Sequence, residues 1–451
     1  MFIALLTTLS FLLAALIPVY PEFTAPILKI QLLIYVLIIA KDLLTRRRLT
    51  LLHTWLCAYI FIIWSDMMLI ATNDNITPYI YPILFYTLAN SLVITGYFAY
   101  KPKSKRIHTN TYQAANTGLL LITILLCEVA YLYINYETVV ETLIFGRTLT
   151  ETLGSASIIS VLTPALGMIL PAIIAYYFRH IKRTNILIPI LIVLPIFIYQ
   201  FIIATRFQLL FQVLPFCIIL DIVKVQNINW KSITLIIFFA IALSAFSSYT
   251  KQNRNFAKNE KEYVETKYST DKTSDTFEAI ALELSPEGII DMIRMLDDYY
   301  EHNDHEYGKE SAYILYFWVP RSIWTDKPTP IDHWLIRQYE TVSDEYSAST
   351  GFVGFLKADF GWFALIFAIV WGIIIKRCDE FIKRTIENGN YSFTYVIATI
   401  LYPYFFFAVR SPLTATQQLI FIFFIYIIFR RLFFNEYTTN HAKASTNKLN
   451  S

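Results

Sequence analysis

The chain of 451 residues is 56% hydrophobic and only 16% charged, with a net charge of +3. A soluble domain carries roughly 25% charged residues, so a soluble globular protein is excluded; the small net charge says little by itself, and no nucleic-acid partner is expected. Apolar runs of roughly 18 residues or more recur from end to end, each long enough to cross about 30 Å of hydrocarbon as a helix.

Length and hydropathy predict an all-α polytopic membrane protein of about 12 spans. Residues 1–250 hold the first nine, near 2–19, 26–44, 51–72, 78–99, 116–136, 157–178, 185–204, 208–225 and 232–250. The first reads as a span rather than a signal peptide, because Met1 to Pro18 lacks a basic n-region and an A-x-A cleavage site. Residues 251–350 form one large loop. Residues 351–434 hold three more spans, near 352–375, 391–409 and 416–434, and 435–451 form a tail. The four cysteines, Cys57, Cys127, Cys217 and Cys378, form no CxxC pair and read as small apolar packing residues.

Alternate connections are basic. They hold Arg46 to Arg48, Lys101 to Arg106, Arg179 to Arg183, Lys224 and Lys231, Lys376 to Arg384, and Arg430 with Arg431. The opposite short loops hold few basic residues beyond Arg147, Arg206 and Arg410. The positive-inside rule puts the basic side and both termini in the cytoplasm, and the 251–350 loop outside.

The loop begins with 251–275, rich in Lys, Glu, Asn and Thr. Ser285-Pro286 then reads as an N-cap with proline at the first helical position. Ile289, Ile290, Ile293, Leu296 and Tyr300 follow at helical spacing against Asp291, Arg294, Asp297 and Asp298. The acidic face argues for packing on protein rather than on anionic lipid. Tyr313 to Val319 is apolar and aromatic but too short to span, and reads as an element docked on the membrane part.

Three arginines stand out. Arg206 and Arg410 follow directly on hydrophobic spans, and Arg321 lies in the loop stretch Pro320 to Pro328. A guanidinium forks onto phosphate oxygens, so all three are candidates to hold an anionic head group. The bland alternative for Arg206 and Arg410 is snorkelling into lipid headgroups. Lys327 closes the Pro-bracketed stretch, and Trp324 offers a flat apolar face for a sugar ring. Lys357 and Asp359 sit at i and i+2, which do not share a helix face, so they need different partners. His333 follows Asp332 and titrates near neutral pH, which makes the pair candidates for a general base. Asp66 and Glu128 fall within spans, where ionisable groups mark function or polar helix packing. His302 and His305 have no recognised metal-ligand spacing. No P-loop, Rossmann glycine pattern or serine-hydrolase elbow is present, and neither metal nor cofactor is expected.

Taken together, these residues resemble the O-antigen and oligosaccharide repeat-unit polymerases of Gram-negative bacteria, the Wzy type. The resemblance rests on Thr205-Arg206 at the end of a middle span, the Pro320 to Pro328 stretch, the small-residue run Ser347 to Gly354 ending in Asp359-Phe360-Gly361, and the late Arg410. It implies a GT-C-like membrane glycosyltransferase of the bacterial inner membrane. The enzyme would move a glycan from undecaprenyl pyrophosphate onto a new undecaprenyl-pyrophosphate-linked repeat unit at the periplasmic face. Its partners would be those lipid-linked glycans, membrane lipids and a chain-length regulator of the same pathway. Arg206, Arg321, Lys327 and Arg410 would bind pyrophosphate, His333 or Asp332 would be the base, and Trp324, Lys357 and Asp359 would shape the sugar site. A ligase acting on lipid A core, a lipid-linked sugar flippase or transporter, and a scaffold without catalysis are the competing readings.

Overall fold

The computed structural model describes residues 2–72, 75–101, 111–114, 116–137, 139–140, 158–202, 206–228, 234, 288–317, 319, 323–339, 349–387 and 392–437. The predicted span 232–250 except Thr234, the loop residues 251–275, the Ser285-Pro286 cap, Arg147, Arg321 and the tail beyond Tyr437 lie outside them.

The described residues are nearly all helical. The membrane part contains α1 (Phe2–Leu16), α2 (Thr24–Arg46), α3 (Leu51–Tyr59), which runs through a π-turn into α4 (Ser65–Ala71), α5 (Ile80–Ala99), α6 (Thr117–Ile134), α7 (Ile158–Tyr176), α8 (Leu187–Ile202) and α9 (Arg206–Ile219). Three loop helices follow, α10 (Ile289–Tyr300), α11 (Lys309–Tyr316) and α12 (Ile331–Tyr339). Then come α13 (Gly351–Phe360), α14 (Ala364–Glu387), α15 (Thr394–Arg410) and α16 (Pro412–Phe433). A short antiparallel ribbon pairs β1 (Thr111–Ala114) with β2 (Phe434–Tyr437). Among the described residues seven helical stretches are long and apolar enough to cross a membrane, and four shorter apolar helices stand beside them. This is the pattern of an all-α membrane protein.

Each predicted span with described residues falls on a helix, and 352–375 lies within the continuous apolar stretch Gly351–Ile386, which is kinked. The kink falls at Gly361, where φ is +56° and a side-chain Cβ would lie 2.8 Å from His305 Nε2. A 3-10 turn over Gly361–Phe363 separates the 10-residue α13 from the 24-residue α14. This kink leaves Lys357 and Asp359 on a short helix of their own.

Side chains interlock tightly where α5 meets α14. A Cβ at Gly96 would lie 2.2 Å from the Ile369 carbonyl oxygen, and one at Gly372 would lie 2.1 Å from that of Val93. Glycine on both faces lets the two backbones touch, which is how helices associate without a hydrophobic driving force between them.

The basic connections gather at one end of the bundle. Leu49 N donates to Val225 O at 2.8 Å, and Arg179 Nη2 pairs with Asp221 at 2.7 Å. Arg377 Nε reaches Tyr100 Oη at 3.1 Å. Asp379, fully buried on α14, accepts from Arg48 Nη2 at 2.7 Å, Tyr97 Oη at 2.8 Å and Leu51 N at 3.3 Å. Asp42 accepts from Arg46 Nε at 2.7 Å and lies 3.1 Å from His53 Nε2. Thr50 N donates to His53 Nδ1, which puts the ring proton on Nε2, facing Asp42.

Candidate functional site at the loop end

At the opposite end the loop helices close onto the bundle. The face of α10 carrying Ile289, Ile290, Ile293 and Leu296 is buried, so the predicted amphipathic helix does pack on protein. Asp291 is buried with the apolar side chains, while Arg294 pairs with Asp298 at 2.8 Å on the outside. The predicted docked element is α11, whose following residue Phe317 packs edge-on against Phe421 of α16, with ring centroids 5.7 Å apart.

These helices lack caps of their own. Gly288 and Gly308 stand at the N-cap positions of α10 and α11 with left-handed φ of 69° and 95°, and neither has a side chain to offer. An uncapped helix start leaves backbone N–H groups unmet. Carboxylates from other elements meet them. Asp66 of α4 accepts from Ile290 N at 2.8 Å. Asp359 of α13 accepts from Glu310 N at 3.0 Å and Ser311 N at 2.8 Å, and from the Ser311 hydroxyl. Glu310 of α11 accepts from Ile331 N at 3.0 Å and from Trp334 Nε1 at 3.3 Å. Asp332 of α12 accepts from Thr350 N and Thr350 Oγ1, each at 3.0 Å, at the start of α13. The last three close a cycle: α13 caps α11, α11 caps α12, and α12 caps α13.

The cycle shifts acidities. Burial pushes the Glu310 carboxyl up to about 7, the Ile331 N–H and the Trp334 indole oppose this, and the negative charges of Asp359 and Asp332 add to it. Burial also raises Asp332, against the pull of its Thr350 bonds and of the Arg410 guanidinium.

The predicted residues fall into this frame as follows. Arg410 ends α15 and is half-buried, and the Ser349 hydroxyl donates to its carbonyl oxygen. Of Arg206 the backbone is described, as the first residue of α9. Tyr395 Oη donates to Ile218 O at 3.5 Å, and Phe211 packs edge-on against Phe407. These contacts make α9 and α15 antiparallel, and their register brings Arg206 and Arg410 to the same end of the pair. Asp332 is electrostatically coupled to Arg410, and His333 occupies the next position of α12, half-buried.

Lys327 is buried, and its Nζ donates to Phe317 O at 2.6 Å and Val319 O at 3.0 Å, so its charge ties the loop internally. Trp324 is exposed beside Tyr316, with ring centroids 5.2 Å apart. Lys357 pairs with Asp297 of α10 and lies over the Phe85 ring at 4.9 Å. Its partner differs from those of Asp359, as the i, i+2 spacing requires. Glu128 is buried in α6. His305 packs on Tyr300, with Nδ1 3.1 Å from Ala358 O. Among the described residues no group of three or more His, Cys, Asp or Glu is arranged to hold a metal ion.

Sequence reading missed Glu310, and placed Asp297 on an acidic helix face without its partner Lys357. Both lie in polar stretches where a carboxylate is unremarkable, and each meets a partner far along the chain. The one local signal was Gly308, a helix start without a capping side chain. No family model, no curated protein and no solved structure matches the chain.

Proposed function

We propose that this chain is a membrane glycosyltransferase that polymerises lipid-linked oligosaccharide repeat units at the periplasmic face of the bacterial inner membrane. The donor is a glycan on undecaprenyl pyrophosphate, and the acceptor is one repeat unit on the same carrier. The acceptor hydroxyl oxygen forms a bond to the anomeric carbon as the bond from that carbon to the pyrophosphate oxygen breaks. The departing pyrophosphate keeps the electron pair, and the hydroxyl proton passes to a base.

The observation that carries this reading is the shared end of Arg206 and Arg410 in the α9–α15 pair, beside the loop helices. Two guanidinium groups there stabilise the charge that develops on a leaving pyrophosphate, without a metal. Asp332 uses Oδ1 on Thr350, so the reading assigns the proton to His333. Trp324 supplies the ring face for a sugar. Lys327 and Lys357, tied within the protein, shape the site rather than grip phosphate.

The experiment is replacement of Arg206 and Arg410 by Ala in the producing strain. Each variant should insert normally and yield core bearing a single repeat unit, with long chains lost. Normal polymer length in both variants would overturn the assignment.

A further inference from the structure

The helices of the capping cycle have 8, 9 and 10 residues. Isolated helices shorter than about 12 residues are marginal in water, so each depends on what its neighbours supply. Each gives a carboxylate to one partner and receives one from the other. The cycle touches the arginine end twice, through the charge of Asp332 and through Ser349, whose hydroxyl holds the Arg410 carbonyl. We propose that Asp359, Glu310 and Asp332 act as one positioning unit, which sets α12 against Arg410 and loosens as a whole when any one carboxylate is lost.

Glu310 is the member that responds to protons near neutrality. The groups that face it are Asp359 on α13, Asp332 on α12, Lys309 and Tyr316 on its own helix, and Tyr300 on α10. Asp359, Asp332 and burial favour its protonated form. The closed cycle therefore holds the Glu310 proton more tightly than an opened one does, so the cycle is tighter below pH 7 than above it.

Hydrogen exchange on the purified full chain in nanodiscs tests the unit directly, read at the amides of Ser311, Ile331 and Thr350. Glu310→Ala should speed exchange at all three by about tenfold or more, although of the three amides its carboxylate bonds only that of Ile331. Acceleration at Ile331 alone would overturn the unit. Should that variant fail to fold, Glu310→Gln and wild type at pH 6 and pH 8 decide. Wild type, corrected for intrinsic rates, should protect all three amides better at pH 6, and Glu310→Gln should lose that difference. A pH step confined to Ile331, or none, would sink the proposal.

The link to polymer rests on the proposed reading and separates cleanly from it. Arg410→Ala with normal polymer removes the reading and leaves the exchange result to judge the unit. Polymer lost with Arg410→Ala but of normal length with a folded Glu310→Ala removes the positioning role alone.

Discussion

At the basic end, Asp379 meets Arg48 and Tyr97 within 2.8 Å, with Arg46 at 3.7 Å. At the loop end, Asp359, Glu310 and Asp332 accept backbone N–H groups from one another's helices. Both ends bury carboxylates, but with different consequences. Guanidinium partners neutralise a carboxylate and lock the helices that carry them. Backbone partners satisfy its lone pairs and leave its charge in place, so the loop end stays electrostatically active and sensitive to protons. The first arrangement suits a joint, the second a site.

That contrast is easiest to break at Asp379. Asp379→Ala leaves Arg48 and Tyr97 without their acceptor at a buried position, and should cost about 3–5 kcal/mol. Asp359→Ala, which removes a cap, should cost about 1–3 kcal/mol. Thermal unfolding of the two variants in detergent compares them, and equal losses would erase the distinction between the ends.

Next in size is the pH dependence at Glu310. Its carboxyl is raised from 4.5 to about 7 in the folded chain. Between those values the unfolded chain has lost the proton that the folded chain keeps. Stability from this group is therefore full below pH 4.5, falls by about 3 kcal/mol as pH rises through the window, and is level above 7. Glu310→Gln should flatten the melting temperature between pH 5 and 7. A slope unchanged by that substitution would assign the effect elsewhere.

A smaller loss is expected from Asp66→Ala, which removes the cap at Ile290 and should cost about 1 kcal/mol, seen as faster exchange at the start of α10. Smallest is Arg294→Ala, whose partner Asp298 is half exposed. An exposed pair contributes below about 1 kcal/mol, and a larger loss would show that the outer face of α10 is packed against something.

The positions of the apolar helices were legible because hydrophobic length marks them, and the basic end was legible because Lys and Arg mark it directly. The loop helices were half legible. The Ile289 to Leu296 periodicity gave α10, but its true start at Gly288 depends on Asp66, more than two hundred residues earlier. The kink at Gly361 has a left-handed φ and leaves no room for a side chain beside His305, a residue far from it in the chain. Arg206 and Arg410 were found as cations where cations are unusual, on the side opposite the basic connections, and the α9–α15 register brings them to one end of that pair. The capping cycle was invisible, since the spacing of Glu310, Asp332 and Asp359 has no period and the chain between them folds back.

The account's central claim is chemical, and purified protein tests it most directly. Reconstituted in nanodiscs with undecaprenyl-pyrophosphate-linked repeat units and no other enzyme, the wild-type chain should build a ladder of longer glycans and release undecaprenyl pyrophosphate, while Arg410→Ala should build none. A folded wild-type chain that joins no two units under those conditions would contradict it.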